Sequence, residues 1–398
     1  MEYNFADAVK TLNPSAIREI LKYAADPEVV SLSAGNPSPE AFPVAKIAEI
    51  SAKVLAERPI DVLQYSTTEG YQPLRDSLAS YLKEKHNIGR DFDNILITSG
   101  AQQAVELVAK VLCNRGDAVI CEAPSFIGSL NSFRSLGGKL IGVPIESDGM
   151  DMEALEEALK ANKNVKFIYT IPNFQNPSGI TMSLEKRRRI YELAKKHGVV
   201  IVEDNPYGDL RFEGEDIPSI KSFDEDGIVV YAGSFSKVLA PGIRVGYAVA
   251  PKPLLQKMIV CKQGEDVHTS MWAQIICERF LSTTDFESHL ESLRNLYRKK
   301  AQLMISLIEE HLVPSGITYA PTQGGLFVWC LLPDGVNMPE FCKRAVIDYK
   351  VAIVPGNAFL VDENDPCQNF RLNYSTPTDE AMRKGVERLG ELAREVIR

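Results

Sequence analysis

The chain has 398 residues, of which 45% are hydrophobic and 24% charged, values close to those of average globular proteins. At roughly 100–200 residues per domain, this length predicts two or three domains and excludes a small disulfide scaffold. The net charge of −9 argues against general binding to nucleic acid or to an anionic membrane surface. No run of about 18 residues is apolar and free of charge, and no secretory leader is visible, so we expect a cytoplasmic protein.

The cysteines and histidines of the chain are scattered. None of the seven cysteines belongs to a Cys-x-x-Cys pair, and the five histidines do not cluster with them. The sequence therefore predicts unreactive thiols in a reducing compartment and no metal site.

From about residue 95 to residue 250, short apolar runs rich in β-branched residues alternate with helical patterns. This alternation is typical of βαβ units and predicts an α/β fold with a mainly parallel sheet flanked by helices. Ser183 is the predicted N-cap of a helix over residues 184–197, which Gly198 ends. The predicted strands are 95–98, 118–122, 139–145, 167–171, 199–203, 228–232 and 245–250.

A helical pattern without proline runs from about residue 285 to residue 312, and we place a domain boundary inside it near residue 290. The predicted division is an N-terminal arm (1–45), a large domain (46–290) and a smaller α+β domain (291–398). The arm contains one predicted helix at 16–23 and contributes to the small domain. The small domain has predicted strands at 317–320, 325–331 and 370–374, and a closing helix at 378–397.

Polar residues follow several predicted strands, at the edge where open α/β sheets bind ligands. Ser99 and Gly100 open a helix after the first strand, and free N–H groups at a helix start can bind phosphate. An ordinary strand-to-helix turn has the same pattern, and the polar loop 173–179 can likewise be a simple turn. Asp204 follows an apolar strand, so its carboxylate needs a cationic partner.

One ligand accounts for these features together. A buried lysine beside a cationic group has a lowered pKa and can attack a carbonyl, which is a role open to Lys237. A carboxylate such as Asp204 pairs with a protonated pyridine nitrogen, and hydroxyls, an arginine and a helix start hold a phosphate. These are the requirements of pyridoxal phosphate, which we take as the expected cofactor.

The residues that carry this chemistry stand in a recognisable order: Asn173-x-x-Asn176-Pro177-x-Gly179, Asp204-x-x-Tyr207 and Ser234-x-Ser236-Lys237-x-x-x-Pro241-Gly242-x-Arg244-x-Gly246-Tyr247. Further motifs lie on either side of them: Tyr65-x-x-x-x-Gly70-x-x-x-Leu74-Arg75, Gly324-Gly325-Leu326-Phe327-Val328-Trp329, Pro355-Gly356-x-x-Phe359 and Arg371-Leu372-Asn373-Tyr374. Together they resemble the class I and II aminotransferases of PLP fold type I, and the resemblance covers nearly the whole chain. It implies a transaminase that exchanges amino groups between amino acids and 2-oxo acids, with 2-oxoglutarate as acceptor, by a ping-pong mechanism.

The resemblance also implies a role for each matching residue. Lys237 would bind the cofactor covalently and move the proton at the substrate α-carbon, and Asp204 would keep the pyridine nitrogen protonated. Asn176 and Tyr207 would bond the phenolic oxygen of the ring, Phe126 would stack on it, and Arg371 would bind the substrate α-carboxylate. Tyr65 would reach the phosphate of the other subunit in a homodimer with shared active sites. The remaining phosphate-binding residues would be Gly100, Ala101, Gln102, Ser234, Ser236 and Arg244.

The N-terminal residues resemble the 2-aminoadipate, kynurenine and aromatic aminotransferase subgroup. Arg18 occupies the position of an arginine on a mobile covering helix, where it can meet a second substrate carboxylate, and a solvated helix arginine is the alternative. Gly35 should line the substrate end of the site. The resemblance thus implies broad donor specificity of the 2-aminoadipate or aromatic type.

Other functions compete with a transaminase. A C–S lyase or a decarboxylase on the same fold would use the same residues. A non-catalytic effector-binding regulator is disfavoured, since it needs a basic winged-helix segment ahead of a pattern that begins here by Asn13. The basic run at residues 186–189 is interpreted as a solvated helix face.

Overall fold

The computed structural model describes residues 3–5, 10 and 26–397. Within those ranges, no helix is long and apolar enough to cross a membrane. The strands are β1 (Val30–Ser31), β2 (Asp93–Thr98), β3 (Ala118–Ala123), β4 (Lys139–Glu146), β5 (Gly149–Met150), β6 (Val165–Thr170), β7 (Val200–Asp204), β8 (Val229–Ser234), β9 (Gly246–Pro251), β10 (Thr318–Tyr319), β11 (Phe327–Leu331), β12 (Val351–Ala352), β13 (Val354–Pro355) and β14 (Asn369–Asn373). The α-helices of the described residues are α1 (Val44–Glu57), α2 (Pro59–Leu63), α3 (Gln72–His86), α4 (Ala101–Leu112), α5 (Ile127–Ser135), α6 (Met152–Ala161), α7 (Leu184–His197), α8 (Lys252–Gln263), α9 (Met271–Thr283), α10 (Phe286–His311), α11 (Met338–Ile347) and α12 (Asp379–Val396).

An eight-stranded sheet with the order β2-β9-β8-β7-β6-β3-β4-β5 forms the centre of the described structure. The pairs from β8 through β7, β6 and β3 to β4 are parallel. Strand β9 runs antiparallel to both of its neighbours, and the short β5 is antiparallel to β4. The predicted α/β fold with a mainly parallel sheet is therefore confirmed, and each predicted strand lies within a few residues of an observed one.

The buried character of the central strands explains why apolar runs predicted them. In β7, Ile201 and Val202 are fully buried, and helices cover both faces of the sheet, as in other parallel sheets. The strand extends one residue further than predicted, so that Asp204 is its last residue and pairs with Ala232 of β8. Regular pairing with β8 therefore fixes the backbone of this acid.

A smaller antiparallel sheet follows in the order β10-β11-β14-β13. Strand β13 was not predicted, because its two residues are too short for any periodicity. Helix α10 runs unbroken from Phe286 to His311, so the predicted boundary near residue 290 falls inside a continuous helix. The division of the chain into arm, large domain and small domain stays a prediction.

The chain before α1 is bound to the C-terminal part of the chain through a separate two-stranded sheet, β1-β12. Strand β1 pairs in parallel with β12, and the backbone of Leu32 both donates to Ala352 and accepts from Asn373. The carbonyl of Asn36 accepts hydrogen bonds from the hydroxyls of Ser375 and Thr376. These bonds fix the segment 33–35 beside the carboxyl end of the large sheet. The predicted helix at 16–23 lies outside the described residues.

The interpretation of residues 186–189 as a solvated face is wrong for Arg187, which is fully buried. The helical repeat of α7 places it on the same inner face as Ile190 and Ala194. Burial lowers the pKa of its guanidinium to about 10. Its N–H groups are satisfied by the carbonyls of Pro172, Met182, Ile217 and Pro218 and by the Asn173 side chain.

Candidate active site

Lys237 lies just beyond the carboxyl end of β8. Its ammonium donates to the Gly35 carbonyl at 2.8 Å and lies 5.8 Å from the centre of the Tyr207 ring. Burial lowers the pKa of this amine to about 8, helped by the positive charges of Arg371 and Arg244. An amine with such a pKa is neutral in a useful fraction of molecules near neutral pH, as nucleophilic attack and proton transfer both require.

Asp204 presents one satisfied and one unsatisfied oxygen. Its Oδ2 accepts the hydroxyl of Tyr169 at 2.7 Å, and that hydroxyl accepts from Ser129 at 2.9 Å. Its Oδ1 is buried and has no hydrogen-bond partner among the described residues. Burial raises the pKa of the carboxyl to about 6, and the Tyr169 bond acts in the opposite direction. A buried carboxylate oxygen without a donor fits the protonated nitrogen of a pyridine ring.

The turn between β2 and α4 approaches Arg244 closely. Gly100 has φ +87° at the N-cap of α4, and a Cβ at this glycine would overlap the Arg244 guanidinium. Arg244 donates to the Ser99 carbonyl at 3.0 Å and to the Ser236 hydroxyl at 3.4 Å. Ser234 accepts the Ser236 N–H. A helix start, two hydroxyls and a guanidinium therefore converge as a phosphate requires.

Gln102 and Ala101 contribute to this turn through their backbone. Ala101 is the first residue of α4, where N–H groups have no partner inside the helix. The side chain of Gln102 is engaged elsewhere, because it donates to the Gly128 carbonyl and the Ser132 hydroxyl, both of α5.

Arg371 lies on β14, where its guanidinium is buried between two aromatic rings. Its Cζ is 4.2 Å from the ring centre of Phe327 and 5.0 Å from that of Phe359. It donates to Asn176 Oδ1 and to the Ser33 carbonyl, both at 2.6 Å. Its Nε has no partner among the described residues, and burial lowers the pKa of the group to about 10. A cation held in this way is prepared to bind a carboxylate.

The other predicted residues separate into two groups. Tyr207 is buried, and Phe126 is half-buried at the N-cap of α5. The Gly35 carbonyl accepts from Lys237, and a Cβ at this glycine would lie 3.4 Å from the Phe327 ring. Tyr65, in contrast, is 81% exposed, and its ring centre lies 5.9 Å from that of His268 in an edge-to-face arrangement. Arg18 lies outside the described residues.

Sequence reasoning missed several groups of this site. Tyr169 lies inside β6 beside apolar residues, so the sequence gave no sign that its hydroxyl has a polar partner. The Ser33 and Gly35 acceptors are backbone carbonyls, which a pattern of side chains cannot indicate. Glu122, in contrast, is the last residue of the predicted apolar strand 118–122, so the argument used for Asp204 could have found it.

A fold with this sheet order and these groups at its carboxyl edge fits one class of protein, the pyridoxal-phosphate enzymes of amino acid metabolism. The open oxygen of Asp204 and the close approach at Gly100 match the two ends of that cofactor. The chain belongs to the family described as aminotransferase class I and II, whose model matches residues 27–389. It is a transaminase.

Known relatives agree with this assignment over almost the full chain. Aromatic-amino-acid aminotransferase 1 of Thermococcus litoralis is 38% identical, and the match covers 100% of this chain and 95% of that protein. The crystal structure of Pyrococcus horikoshii kynurenine aminotransferase has a TM-score of 0.95 and 36% identity, covering 99% and 98% of the two chains. The α-aminoadipate aminotransferase of Thermus thermophilus, complexed with N-(5'-phosphopyridoxyl)-L-leucine, has a TM-score of 0.89 and 38% identity over 98% and 97%.

Proposed function

We propose that this transaminase takes the amino group from donors of the 2-aminoadipate or aromatic type and passes it to 2-oxoglutarate by ping-pong exchange. The donor classes named by the similar proteins support this choice. The acceptor and the two-step exchange are those general to the family.

The observation that carries the proposal is that the cations of Arg371 and Lys237 are hydrogen-bonded to the same short segment of the chain. Arg371 donates to the carbonyl of Ser33 and Lys237 to that of Gly35, on one short segment of chain. Their charges are close enough for Arg371 to lower the pKa of Lys237. An α-amino acid has its carboxylate and its reacting α-carbon only one bond apart, so it can meet both groups at once.

The proposed cofactor, pyridoxal phosphate, supplies an electron-withdrawing ring that stabilises negative charge at the substrate α-carbon. Asp204 would hold the ring nitrogen protonated, and Tyr207 and Asn176 would bond the phenolic oxygen. Phe126 would stack on the ring. The phosphate would be bound by the turn at Gly100, Ala101 and Gln102 together with Ser234, Ser236 and Arg244.

The decisive experiment is a panel of amino donors tested against 2-oxoglutarate with the purified holoenzyme. We expect 2-aminoadipate and aromatic amino acids to convert the bound cofactor to its aminated form, detected by its absorbance, with one 2-oxo acid formed per amino group lost. Release of ammonia or carbon dioxide instead would favour a C–S lyase or a decarboxylase. No spectral change with any donor would refute the proposal.

Arg371→Lys should raise KM for every amino donor by tens-fold. A lysine cannot reproduce the bidentate fork, and a hydrogen bond to a charged group contributes about 1.5–3 kcal/mol. The matched control is Arg211→Lys, which makes the same change to a buried guanidinium stacked on Phe174 at 4.8 Å. Steady-state kinetics with several donors measure both variants, and an unchanged KM in Arg371→Lys would remove this residue from the substrate site.

Arg18→Ala should impair dicarboxylic donors selectively if this arginine binds the distal carboxylate. The expected result is a KM for 2-aminoadipate raised about tenfold or more, equivalent to one charge-assisted hydrogen bond, with little change for leucine. Equal effects on both donors would assign Arg18 a covering or structural role only.

We further propose that two copies of the chain share their active sites. Tyr65 is highly exposed in the single chain, and the preceding α2 exposes Ile60 at 71% and Leu63 at 77%. Such a patch is typical of a protein interface. Sedimentation should find a dimer, and Tyr65→Phe should weaken binding of the cofactor phosphate; a monomer with full activity would contradict this.

A further inference from the structure

Glu122 is a buried acid that none of the proposed catalytic roles uses. It is the penultimate residue of β3 and is 2% exposed. Its Oε1 accepts the Thr170 hydroxyl at 2.6 Å, and its Oε2 accepts the Ile171 N–H and the Gln175 Nε2, both at 3.1 Å. All three donors are neutral, and burial raises the pKa of the carboxyl to about 7. Keeping a buried carboxyl group ionised without a cationic partner costs free energy, so its presence here points to a specific requirement for it.

Glu122 is bonded to an amide that has a single orientation. The Pro124 carbonyl can only accept and the Ser178 N–H can only donate, so the Gln175 NH₂ faces Glu122 and Pro124 and the amide oxygen faces Ser178. That oxygen accepts the N–H and the hydroxyl of Ser178 at 2.9 and 2.7 Å. These bonds close the turn that contains Asn176, and Asn176 receives the hydrogen bond of Arg371.

The same amide reaches the segment that carries the stacking ring. Gln175 Nε2 also donates to the Pro124 carbonyl at 2.8 Å, just before Phe126. The intervening Ser125 N–H donates to the Phe359 carbonyl at 2.9 Å, and the Phe359 ring lies against Arg371. Through Gln175, Glu122 is thus connected by hydrogen bonds to the turn that contains Asn176 and to the segment that leads to Phe126.

We propose that Glu122 is a positioning residue of this transaminase: it anchors the Gln175 amide, which holds Asn176 towards Arg371 and fixes the segment leading to Phe126. The inference rests on the proposed function of this site. A glutamine at position 122 has one acceptor oxygen where the glutamate has two, so it cannot accept from Thr170 on one side and from Ile171 and Gln175 on the other at the same time.

The test compares Glu122→Gln with Glu203→Gln. Glu203 is a fully buried acid on β7, which β6 separates from β3 in the sheet, and its carboxylate accepts the N–H groups of Ile220 and Lys221, neither of which belongs to the site. For Glu122→Gln we expect KM for amino donors to rise roughly fivefold to tenfold, as for one lost neutral hydrogen bond, with a smaller change in kcat. The visible circular dichroism of the bound cofactor should change as well, because it reports how the ring is held. Glu203→Gln should leave both quantities near the wild-type values.

Two further results decide between positioning and general stability. Equal changes in both variants, or a lowered melting temperature with unchanged KM and circular dichroism in Glu122→Gln, would overturn the inference. Gln175→Met leaves Glu122 in place but removes the oriented amide, so it should raise KM in the same way. It keeps the test valid if Glu122→Gln does not fold, and wild-type kinetics in Gln175→Met would overturn the inference.

The outcome is separable from that of the proposed function. If the wild-type holoenzyme transferred no amino groups, the proposed function would fail. The circular dichroism comparison would still decide the role of Glu122, because it needs only bound cofactor: a changed spectrum in Glu122→Gln alone supports the role, and an unchanged one refutes it.

Discussion

Lys237→Ala is expected to lower kcat for transamination by about 10⁴-fold, the upper range for loss of a general acid–base group. The substitution removes an amine whose pKa is lowered to about 8 by burial and by two neighbouring guanidinium groups. No other lysine of the described residues is placed to replace it at the Gly35 carbonyl. Steady-state assays with an aromatic donor and 2-aminoadipate measure the effect, and borohydride should no longer attach the cofactor to the protein.

Lys237→Arg is the matched control for charge. It keeps a cation near Tyr207 but replaces an amine that can lose its proton by a guanidinium that cannot. We expect it to be as inactive as Lys237→Ala. If either variant kept more than a tenth of the wild-type kcat, Lys237 would not be the residue that moves the proton.

Asp204→Asn is expected to lower kcat by roughly 10²–10³-fold and to weaken cofactor binding. The amide has nearly the shape of the carboxylate, but it cannot provide the charge that a protonated pyridine nitrogen needs. Removing one member of a buried charge pair costs about 3–5 kcal/mol, which supports a loss of this size. The measurements are kcat and the dissociation constant of pyridoxal phosphate from the apoenzyme.

Tyr169→Phe separates the charge of Asp204 from its orientation. It removes only the hydroxyl that donates to Oδ2, so the carboxylate remains while one hydrogen bond is lost. A decrease in kcat of about tenfold is expected, well below that of Asp204→Asn. Equal losses in the two variants would mean that orientation, and not charge, is what Asp204 provides.

The residues at the strand ends show how much of the candidate site local sequence patterns could predict. Asp204 and Lys237 were found because each follows an apolar run, and such runs in a mainly parallel sheet end at a common edge. The role of Arg371 was predicted only from the resemblance of its segment to a known motif, since neither its burial nor its ring contacts can be inferred from the sequence around it. Strand β9 was predicted, but its antiparallel direction was not, because apolar periodicity does not encode direction.

Arg187 shows the opposite failure. Four consecutive basic residues indicated a solvated face, yet helix α7 turns one of them inward, where backbone carbonyls satisfy it. Composition describes a segment as a whole, whereas burial depends on the angle of each residue around the helix and on what packs there. The carbonyl acceptors come from distant loops, so no local rule could supply them.

The sequence by itself determined the α/β class and the order of the strands along the chain, and it indicated the residues proposed to bind the cofactor, because these depend on local periodicity and on short motifs. Only the tertiary structure decided which groups meet. It brought the Ser33 and Gly35 carbonyls to two cations and left one oxygen of Asp204 without a hydrogen-bond partner among the described residues. Burial, and with it the shifted pKa of Lys237, arises from contacts between residues far apart in the chain.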